Sequence, residues 1–182
     1  MKEIMKKLFL ASVLVLTAVS ASAQMYGQVG VTFVKYEPTV LGVKLSSSSN
    51  AIRGVLGYEV NENLALEGLA AVGMGDSDFE VAGVKIPGAK FKVDSVVGLY
   101  AKPKFKFSPE LEGFVRAGFA RSQGTVSAGG LSESSSESGF SYGVGASYAL
   151  SQKTSLNFDY MSYLNKNESQ ATGFTFGIGY KF

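Results

Sequence analysis

The sequence predicts an all-β fold, an eight-stranded antiparallel up-and-down transmembrane β-barrel, from three observations. Apolar residues alternate with small or polar ones through eight segments, and a period of two is the pattern of β-strands. The breaks between segments are short and long in turn, as in membrane barrels, whose connections are short on one side and long on the other. The face opposite the apolar one is rich in Gly, Ser and Ala and carries charges of both signs, which suits a crowded barrel interior.

The same strands could instead close into a soluble barrel such as a lipocalin. It would point the apolar face inward around a ligand and the other face at water. A face made largely of Gly, Ser and Ala is a poor water-facing surface. We therefore expect the apolar face to meet lipid.

The start of the chain has the organisation of a secretory signal peptide. Three lysines precede an apolar run over residues 8–19, and the segment ends on Ala-Ser-Ala at 21–23, so we expect cleavage after Ala23. A transmembrane anchor is the weaker alternative, because the apolar run is shorter than the roughly 20 residues that a spanning helix needs. The predicted domains are a signal peptide at 1–23 and an outer-membrane barrel at 24–182.

Charge and composition exclude several classes of function. Without the signal peptide, the 17 basic and 15 acidic residues fall to 14 of each, because that segment holds three lysines and one glutamate. A mature chain with no net charge offers no case for nucleic-acid binding. The chain has no cysteine and no histidine, which removes disulfides, thiolate metal sites and the commonest general base.

The first three segments, 25–36, 52–60 and 64–74, set the alternating pattern. A long break follows the first segment, whereas only Asn-Glu-Asn at 61–63 separates the second from the third. A turn this short predicts antiparallel pairing. The apolar faces are Val29, Val31 and Phe33 in the first segment, Ile52, Leu56, Tyr58 and Val60 in the second, and Leu64, Leu66, Ala70, Val72 and Met74 in the third.

The next three segments, 93–107, 111–121 and 140–150, repeat the pattern. A long break precedes them, Ser-Pro-Glu at 108–110 forms a tight turn, and a Gly/Ser-rich break follows residue 121. The apolar faces are Val97, Leu99, Ala101, Pro103 and Phe105 in the fourth segment, Leu111, Val115, Ala117 and Phe119 in the fifth, and Phe140, Tyr142, Val144, Ala146, Tyr148 and Leu150 in the sixth.

The last two segments are 155–165 and 172–182, and the chain ends on the second of them. The apolar residues of this last strand are Phe174, Phe176, Ile178, Tyr180 and Phe182. A closed sheet leaves no strand edge unpaired. We therefore predict that the last strand pairs with the first and that lipid covers its aromatic face.

Four of these segments and the exported start carry a resemblance to small eight-stranded outer-membrane barrels of Gram-negative bacteria. The residues that carry it are 1–23, 64–69, 98–107, 140–150 and 173–182. This group includes the outer membrane protein A transmembrane domain, outer membrane protein X and the opacity-like proteins. The resemblance implies an integral protein of the bacterial outer membrane. The terminal residues Tyr180 and Phe182 resemble the aromatic-x-Phe ending by which such barrels are recognised for assembly.

Two features depart from the pattern of these relatives. The chain ends with the barrel, so we expect no periplasmic peptidoglycan-binding domain of the kind that outer membrane protein A carries. The chain has no Trp, so an interfacial girdle has to be built from Tyr and Phe. The candidates are Tyr26, Tyr58, Phe105, Phe107, Tyr148, Tyr180 and Phe182.

Seven charged residues on the small and polar face are predicted to form an ion-pair network in the lumen. They are Arg53, Glu59, Glu67, Lys102, Glu112, Arg116 and Asp159. A gate or ion path and a packed plug are both open interpretations. The plug is favoured, because an eight-stranded barrel is only about wide enough for its own side chains and a general diffusion pore needs about 16 strands.

Enzymatic activity is not expected, and no catalytic, cofactor-binding or metal-binding residue is assigned. Barrel enzymes of similar class, the lipid A palmitoyltransferase and deacylase and the outer-membrane proteases, rely on a histidine, which this chain lacks. The serine-rich stretches 46–49 and 132–138 are interpreted as flexible loops. Asp76, Asp78 and Glu80 lack the distal Glu of a calcium loop and are interpreted as a solvated loop tip.

Four predicted outer loops remain as candidates for function, because binding residues concentrate on loops of a rigid scaffold. The loops are 37–50, 75–91, 122–138 and 165–171. Four lysines in or beside them are either contacts to lipopolysaccharide phosphates or an acidic partner, or residues that only solubilise the loops. They are Lys44, Lys85, Lys90 and Lys92.

The sequence thus predicts a non-enzymatic outer-membrane barrel with a plugged polar lumen. Its expected role is envelope integrity or surface contact of the adhesion type. The expected partners are outer-membrane lipids and lipopolysaccharide, the barrel assembly machinery, and host or surface ligands at the loops. A narrow porin-like channel for ions or small solutes is the alternative.

Overall fold

The structure is a computed structural model that describes residues 25–40, 42–81, 83–166 and 169–182. The predicted signal peptide at 1–23 lies outside these residues. The described chain forms ten strands in one antiparallel sheet. They are β1 (Met25–Val40), β2 (Val43–Lys44), β3 (Ser47–Asn61), β4 (Leu64–Gly73), β5 (Asp76–Val81), β6 (Val84–Lys106), β7 (Leu111–Ala128), β8 (Leu131–Ala149), β9 (Thr154–Lys166) and β10 (Ser169–Lys181). Among the residues described, no helix is long and apolar enough to cross a membrane.

Eight of the strands close into a barrel. The strands β1, β3, β4, β6, β7, β8, β9 and β10 pair in that order, and β10 pairs with β1 from Tyr26↔Lys181 to Pro38↔Ser169. The short strands β2 and β5 belong to long hairpins at one end, which we call the outer end. The other end carries short turns and is called the periplasmic end. The predicted eight-stranded antiparallel up-and-down barrel is confirmed.

The strands are staggered around the barrel. The stagger can be measured by moving from each residue to its register partner on the next strand until the circuit returns to β1. Starting on β1, the residues met are Met25, Tyr58, Leu66, Ala101, Ala117, Tyr142, Ser162, Thr172 and Lys35. The circuit ends at Lys35, ten residues beyond its start at Met25. With a rise of about 3.3 Å per residue and about 4.8 Å between strands, this stagger tilts the strands by about 40°. Side chains alone can fill the interior of such a barrel.

The predicted apolar face points outward on every strand for which it was assigned. Val29 is 59% exposed, Leu99 75% and Phe176 56%, although all three are large and apolar. One aromatic residue was placed wrongly in the interfacial girdle: Tyr26 is only 5% exposed and faces the interior. The reason is the period of two, because the outward positions of β1 are odd-numbered and Tyr26 is even-numbered.

The predicted outer loops are mostly strand, which corrects their interpretation as loops. The serine-rich stretch 132–138 lies within β8 and pairs with β7. Cross-strand hydroxyl contacts join Thr125 to Ser134 at 2.7 Å and Ser127 to Ser132 at 2.8 Å, and such Ser and Thr pairs stabilise sheets. The turn itself is only two glycines with positive φ, at 129 and 130.

The other predicted loops follow the same rule. Within 37–50, β1 runs to Val40 and β3 starts at Ser47, so the serines at 46–49 lie mostly in a strand. Segment 75–91 holds β5 and the start of β6, and in 165–171 β9 ends at Lys166 and β10 starts at Ser169. The hairpins are therefore continuations of the barrel strands beyond the outward apolar band.

The outer part of the interior is apolar, whereas only small and polar residues were expected inside. Val34, Val93 and Val96 are buried there, together with Phe91, whose ring stacks on Tyr36 with centroids 4.3 Å apart. A bulge between Val93 and Ser95 shifts the register of β6. Because of this shift, side chains from the predicted break between the third and fourth segments point into the barrel, where they are part of a hydrophobic core.

Candidate functional site

Arg116 lies at the centre of a buried group of charges. It stands on β7, is fully buried, and its guanidinium donates to three acceptor side chains. Its Nε donates to Glu67, its Nη1 donates to Asp159 Oδ2 at 2.6 Å, and its Nη2 donates to Gln28 Oε1 at 3.0 Å. The fork of the guanidinium thus ties β1, β4 and β9 to β7 across the interior.

Arg53 and Lys102 complete the group. Arg53 donates to both carboxylate oxygens of Asp159 and, from Nη1, to the Tyr163 hydroxyl at 3.0 Å. Lys102 Nζ lies 3.3 Å from Glu67 Oε1 and 4.3 Å from the centroid of the Phe114 ring. Each side chain occupies an inward position of a different strand, which the alternation requires.

We call these five residues the central cluster: Arg53, Glu67, Lys102, Arg116 and Asp159. All five are at most 3% exposed. The cluster holds three cations and two anions, so it carries one positive charge in excess. Its carboxylates have further donors, since the Tyr26 hydroxyl donates to Glu67 Oε1. Among the described residues, no buried side-chain nitrogen or oxygen lacks a hydrogen-bond partner.

The other two predicted lumen residues belong to a second group nearer the periplasmic end. Lys104 Nζ lies 2.9 Å from Glu59 and 3.4 Å from Glu112, and Lys181 lies 3.0 Å from Glu59. This periplasmic cluster is balanced, with two charges of each sign. Lys104 is buried, the two glutamates are half-buried and Lys181 is exposed. Lys104 alternates with Lys102 along the fourth segment, and this spacing was the signal that could have added it to the predicted charged set.

A polar cavity of about 270 Å³ opens at the periplasmic end. Its lining includes Glu59 and Glu112, and it reaches inward to Lys102 and Tyr26. On the outer side of the central cluster lie a hydrogen-bonded pair, Thr32 with Thr175 at 2.9 Å, and the apolar core. The lining of the periplasmic cavity thus reaches the central cluster at Lys102.

Three of the four candidate loop lysines already have acidic partners. Lys90 lies 2.9 Å from Asp76, Lys85 lies 3.5 Å from Asp78 and Lys92 lies 3.5 Å from Asp94. The hydrogen bond from Lys90 lowers the pKa of Asp76 below its usual value, and the same contact raises the pKa of Lys90. The fourth, Lys44 on β2, is exposed.

The predicted assembly signal forms the seam of the barrel. The backbone N–H of Phe182 donates to the Met25 carbonyl at 3.1 Å, and the Tyr180 and Phe182 rings meet edge to face with centroids 5.8 Å apart. Tyr180 is exposed on the outward face. Among the described residues, no group of three His, Cys, Asp or Glu side chains is arranged to hold a metal ion.

Comparison with known proteins agrees with this architecture. A search of curated proteins finds no match. Neisserial surface protein A is 20% identical, with a TM-score of 0.67, and the match covers 88% of this chain and 98% of that one. Ail, the attachment invasion locus protein of Yersinia pestis, is 18% identical, with a TM-score of 0.63, covering 89% and 100%. OprG of Pseudomonas aeruginosa is 14% identical, with a TM-score of 0.59, covering 87% and 96%.

These likenesses concern the fold alone, because the identities are low. A family model covers nearly the whole chain, however. The model described as "Outer membrane protein beta-barrel domain" matches residues 8–182. The chain therefore belongs to this outer-membrane β-barrel family and is a protein of the bacterial outer membrane.

Proposed function

We propose that this protein is a non-enzymatic outer-membrane barrel with a plugged lumen, which serves envelope integrity and surface contact through its outer hairpins. The observation that carries the plug is the central cluster, whose five buried charges come from five different strands. Removing a carboxylate from this cluster leaves buried cations uncompensated, at a cost of several kcal/mol. The same contacts that hold the barrel together thus oppose the passage of ions.

The apolar core supports the plug independently. A hydrated ion that passed the central cluster would next meet Val34, Val93 and Val96 with its water removed. Removing the water from an ion that finds no new partners costs far more free energy than attraction to the central cluster could supply. Two barriers of different chemistry therefore lie in series along the barrel axis.

The β7–β8 hairpin is the part best suited to surface contact. The two strands pair as far out as Ala128↔Leu131, but the pairing of β8 with β9 ends at Tyr142↔Ser162. Within the described chain, no strand pairs with β8 on that side between residues 131 and 136. An unpaired edge is a ready template for an extended segment of another protein, which supports an adhesion-type role.

A narrow channel is the second candidate, and the periplasmic cavity favours it, since its polar lining reaches Lys102. Conductance in planar bilayers separates the two. We expect no stable openings from the wild type, or from the control Glu62→Ala in the exposed turn between β3 and β4, which does not line the cavity. Stable wild-type openings that change in Glu67→Ala and not in the control would contradict the plug.

Surface contact is tested by exchanging hairpin residues 122–138 for a short Gly-Ser turn. We expect binding of cells to a coated target surface to be lost, while the slower gel mobility of the unboiled, folded barrel is kept. Exchange of residues 75–91 serves as the matched control. Equal binding by all three proteins would contradict a contact through the β7–β8 hairpin.

We further propose that the outer-membrane partners are lipopolysaccharide, at the outer rim, and the barrel assembly machinery, at Tyr180 and Phe182. The three lysines that pair with aspartates should bind a phosphate more weakly than Lys44, because the aspartates already compensate part of their charge. Among the four candidates, we therefore expect Lys44→Gln to weaken lipopolysaccharide binding most.

A further inference from the structure

An apolar groove of about 1070 Å³ crosses the outside of the barrel from β10 to β8. Its floor consists of Gly54, Gly68 and Ala70, which occupy outward positions of β3 and β4. Leu56 and Leu99 stand beside this floor as walls. The surface is concave there because small residues interrupt a face that otherwise carries large apolar side chains.

Crowding does not explain the floor glycines. A Cβ added at Gly54 would meet only the Ala70 carbonyl, at 4.0 Å, and one added at Gly68 would meet only Leu99, at 3.9 Å. At Gly118, by contrast, a Cβ would lie 2.0 Å from the Leu99 carbonyl. Glycine weakens a strand interior and often marks a place where a ligand comes close. Gly118 is required by packing, whereas Gly54 and Gly68 are not.

The groove ends at a cation at the outer rim. Gly54, Ala70, Val97 and Arg121 are consecutive partners in one row of the sheet, so Arg121 lies three strand spacings, about 14 Å, from Gly54. Arg121 is exposed on the outward face, and its Nη2 donates to Ser136 Oγ at 3.1 Å. A guanidinium beside hydroxyl groups is suited to bind a phosphate.

We propose that this groove binds one acyl chain of a phosphate-bearing lipid of the outer leaflet, with the phosphate on Arg121. The occupant has to be apolar over most of its length and anionic at one end, which describes such a lipid. A second copy of this chain fits less well, because the rim carboxylates Glu37, Asp76 and Asp78 are already paired with lysines. The proposal rests on the outer-membrane location and not on the plugged lumen, so a conductance result leaves it untouched.

The test measures binding of bisphosphorylated lipid A to the full chain in detergent by native mass spectrometry. The double variant Gly54→Leu/Gly68→Leu fills the groove, and the room around both positions allows it to fold. Arg121→Gln removes the cation at an exposed site. We expect each change to weaken binding by about ten-fold or more, the equivalent of a lost charged hydrogen bond. Lipid A without phosphates should bind the wild type as weakly as intact lipid A binds Arg121→Gln.

Two matched controls give the experiment its specificity. Ala146→Leu introduces a leucine at an outward position of β8 away from the groove, and Lys35→Gln removes an outward rim cation on β1. Both should bind lipid A within about two-fold of wild type. Equal losses in controls and groove variants, or no loss in Arg121→Gln, would overturn the proposal. A wild-type dimer that disappears in Gly54→Leu/Gly68→Leu would assign the groove to a second copy and overturn it too.

Discussion

Glu67 and Lys102 contact each other, yet their removal should have very different consequences. The central cluster holds three cations and two anions. Glu67→Gln leaves Arg53, Lys102 and Arg116 with Asp159 as their only carboxylate in the cluster. Lys102→Met leaves two charges of each sign. The surplus charge therefore makes Lys102 the dispensable partner.

The size of the difference follows from the contacts. Glu67 accepts hydrogen bonds from Arg116 and Tyr26 as well as facing Lys102, and breaking a buried pair in this way costs about 3–5 kcal/mol. The attraction of Lys102 to Glu67 at 3.3 Å is about 5 kcal/mol at an effective dielectric constant of 20. Desolvation of the buried ammonium offsets several kcal/mol of it. We expect Lys102→Met to cost about 1 kcal/mol, some 2–4 kcal/mol less than Glu67→Gln.

The double variant Glu67→Gln/Lys102→Met gives the sharpest form of this prediction. It has two cations and one anion, so the excess is again a single positive charge. The free energy of unfolding should therefore lie above that of Glu67→Gln alone by about 1–2 kcal/mol. Together with the cost of about 1 kcal/mol for Lys102→Met, this is a coupling of about 2–3 kcal/mol, in the upper part of the range of double-mutant cycles. Urea unfolding in lipid vesicles, followed by gel mobility without boiling, measures all four proteins. Equal costs for the two single variants, or simple addition in the double variant, would refute the charge count.

Three further predictions concern the rest of the chain. Gly118→Ala should lower the free energy of unfolding by about 1–3 kcal/mol, because its Cβ would meet backbone 2.0 Å away; Gly54→Ala should be neutral or stabilising by up to about 1 kcal/mol in the same urea assay. The hydrogen bond from Lys90 lowers the pKa of Asp76, so an NMR titration should find its midpoint below about 3.9 and Lys90→Gln should raise it. Any stability from this pair is present above the ordinary Asp pKa and disappears as the pH falls through the lowered one; an unchanged midpoint in Lys90→Gln would contradict the pairing. Phe182→Ala should reduce the folded fraction in the outer membrane of cells more than it reduces refolding in vesicles, and equal effects in both assays would argue against an assembly signal.

The barrel itself could be predicted from the sequence because its rule is local. In a strand exposed to lipid on one face, apolar residues recur at every second position. Val29, Val31 and Phe33 show this pattern, which can be read without knowing the strands that they pair with. Arg116 and Asp159 fall on the opposite face by the same count. Closure of the barrel could be predicted because the chain ends on a strand with an apolar face, and a closed sheet leaves no such strand unpaired. This last strand pairs with β1.

The outer end could not be predicted in the same way. Ser132 and Ser134 have the composition of a loop, and they lie in a strand because they pair with Ser127 and Thr125 of β7. The bulge at Val93 is a matter of register between β6 and β7, which no single segment records. The division of the charges into two clusters likewise depends on the stagger of the strands, because residues close across the barrel are far apart in sequence.

The central claim is that large apolar side chains face the hydrocarbon phase while the charged ones are enclosed. A carbene-generating probe dissolved in the acyl chains of a vesicle, with mass-spectrometric mapping of the unmodified protein, tests it directly. We predict labelling of Leu99, Phe119 and Phe176, which are 56–75% exposed, and none of Thr175 or Arg116 on the inward face. Labelling of Thr175 and Arg116 with protection of Leu99 and Phe176 would contradict the orientation of every strand.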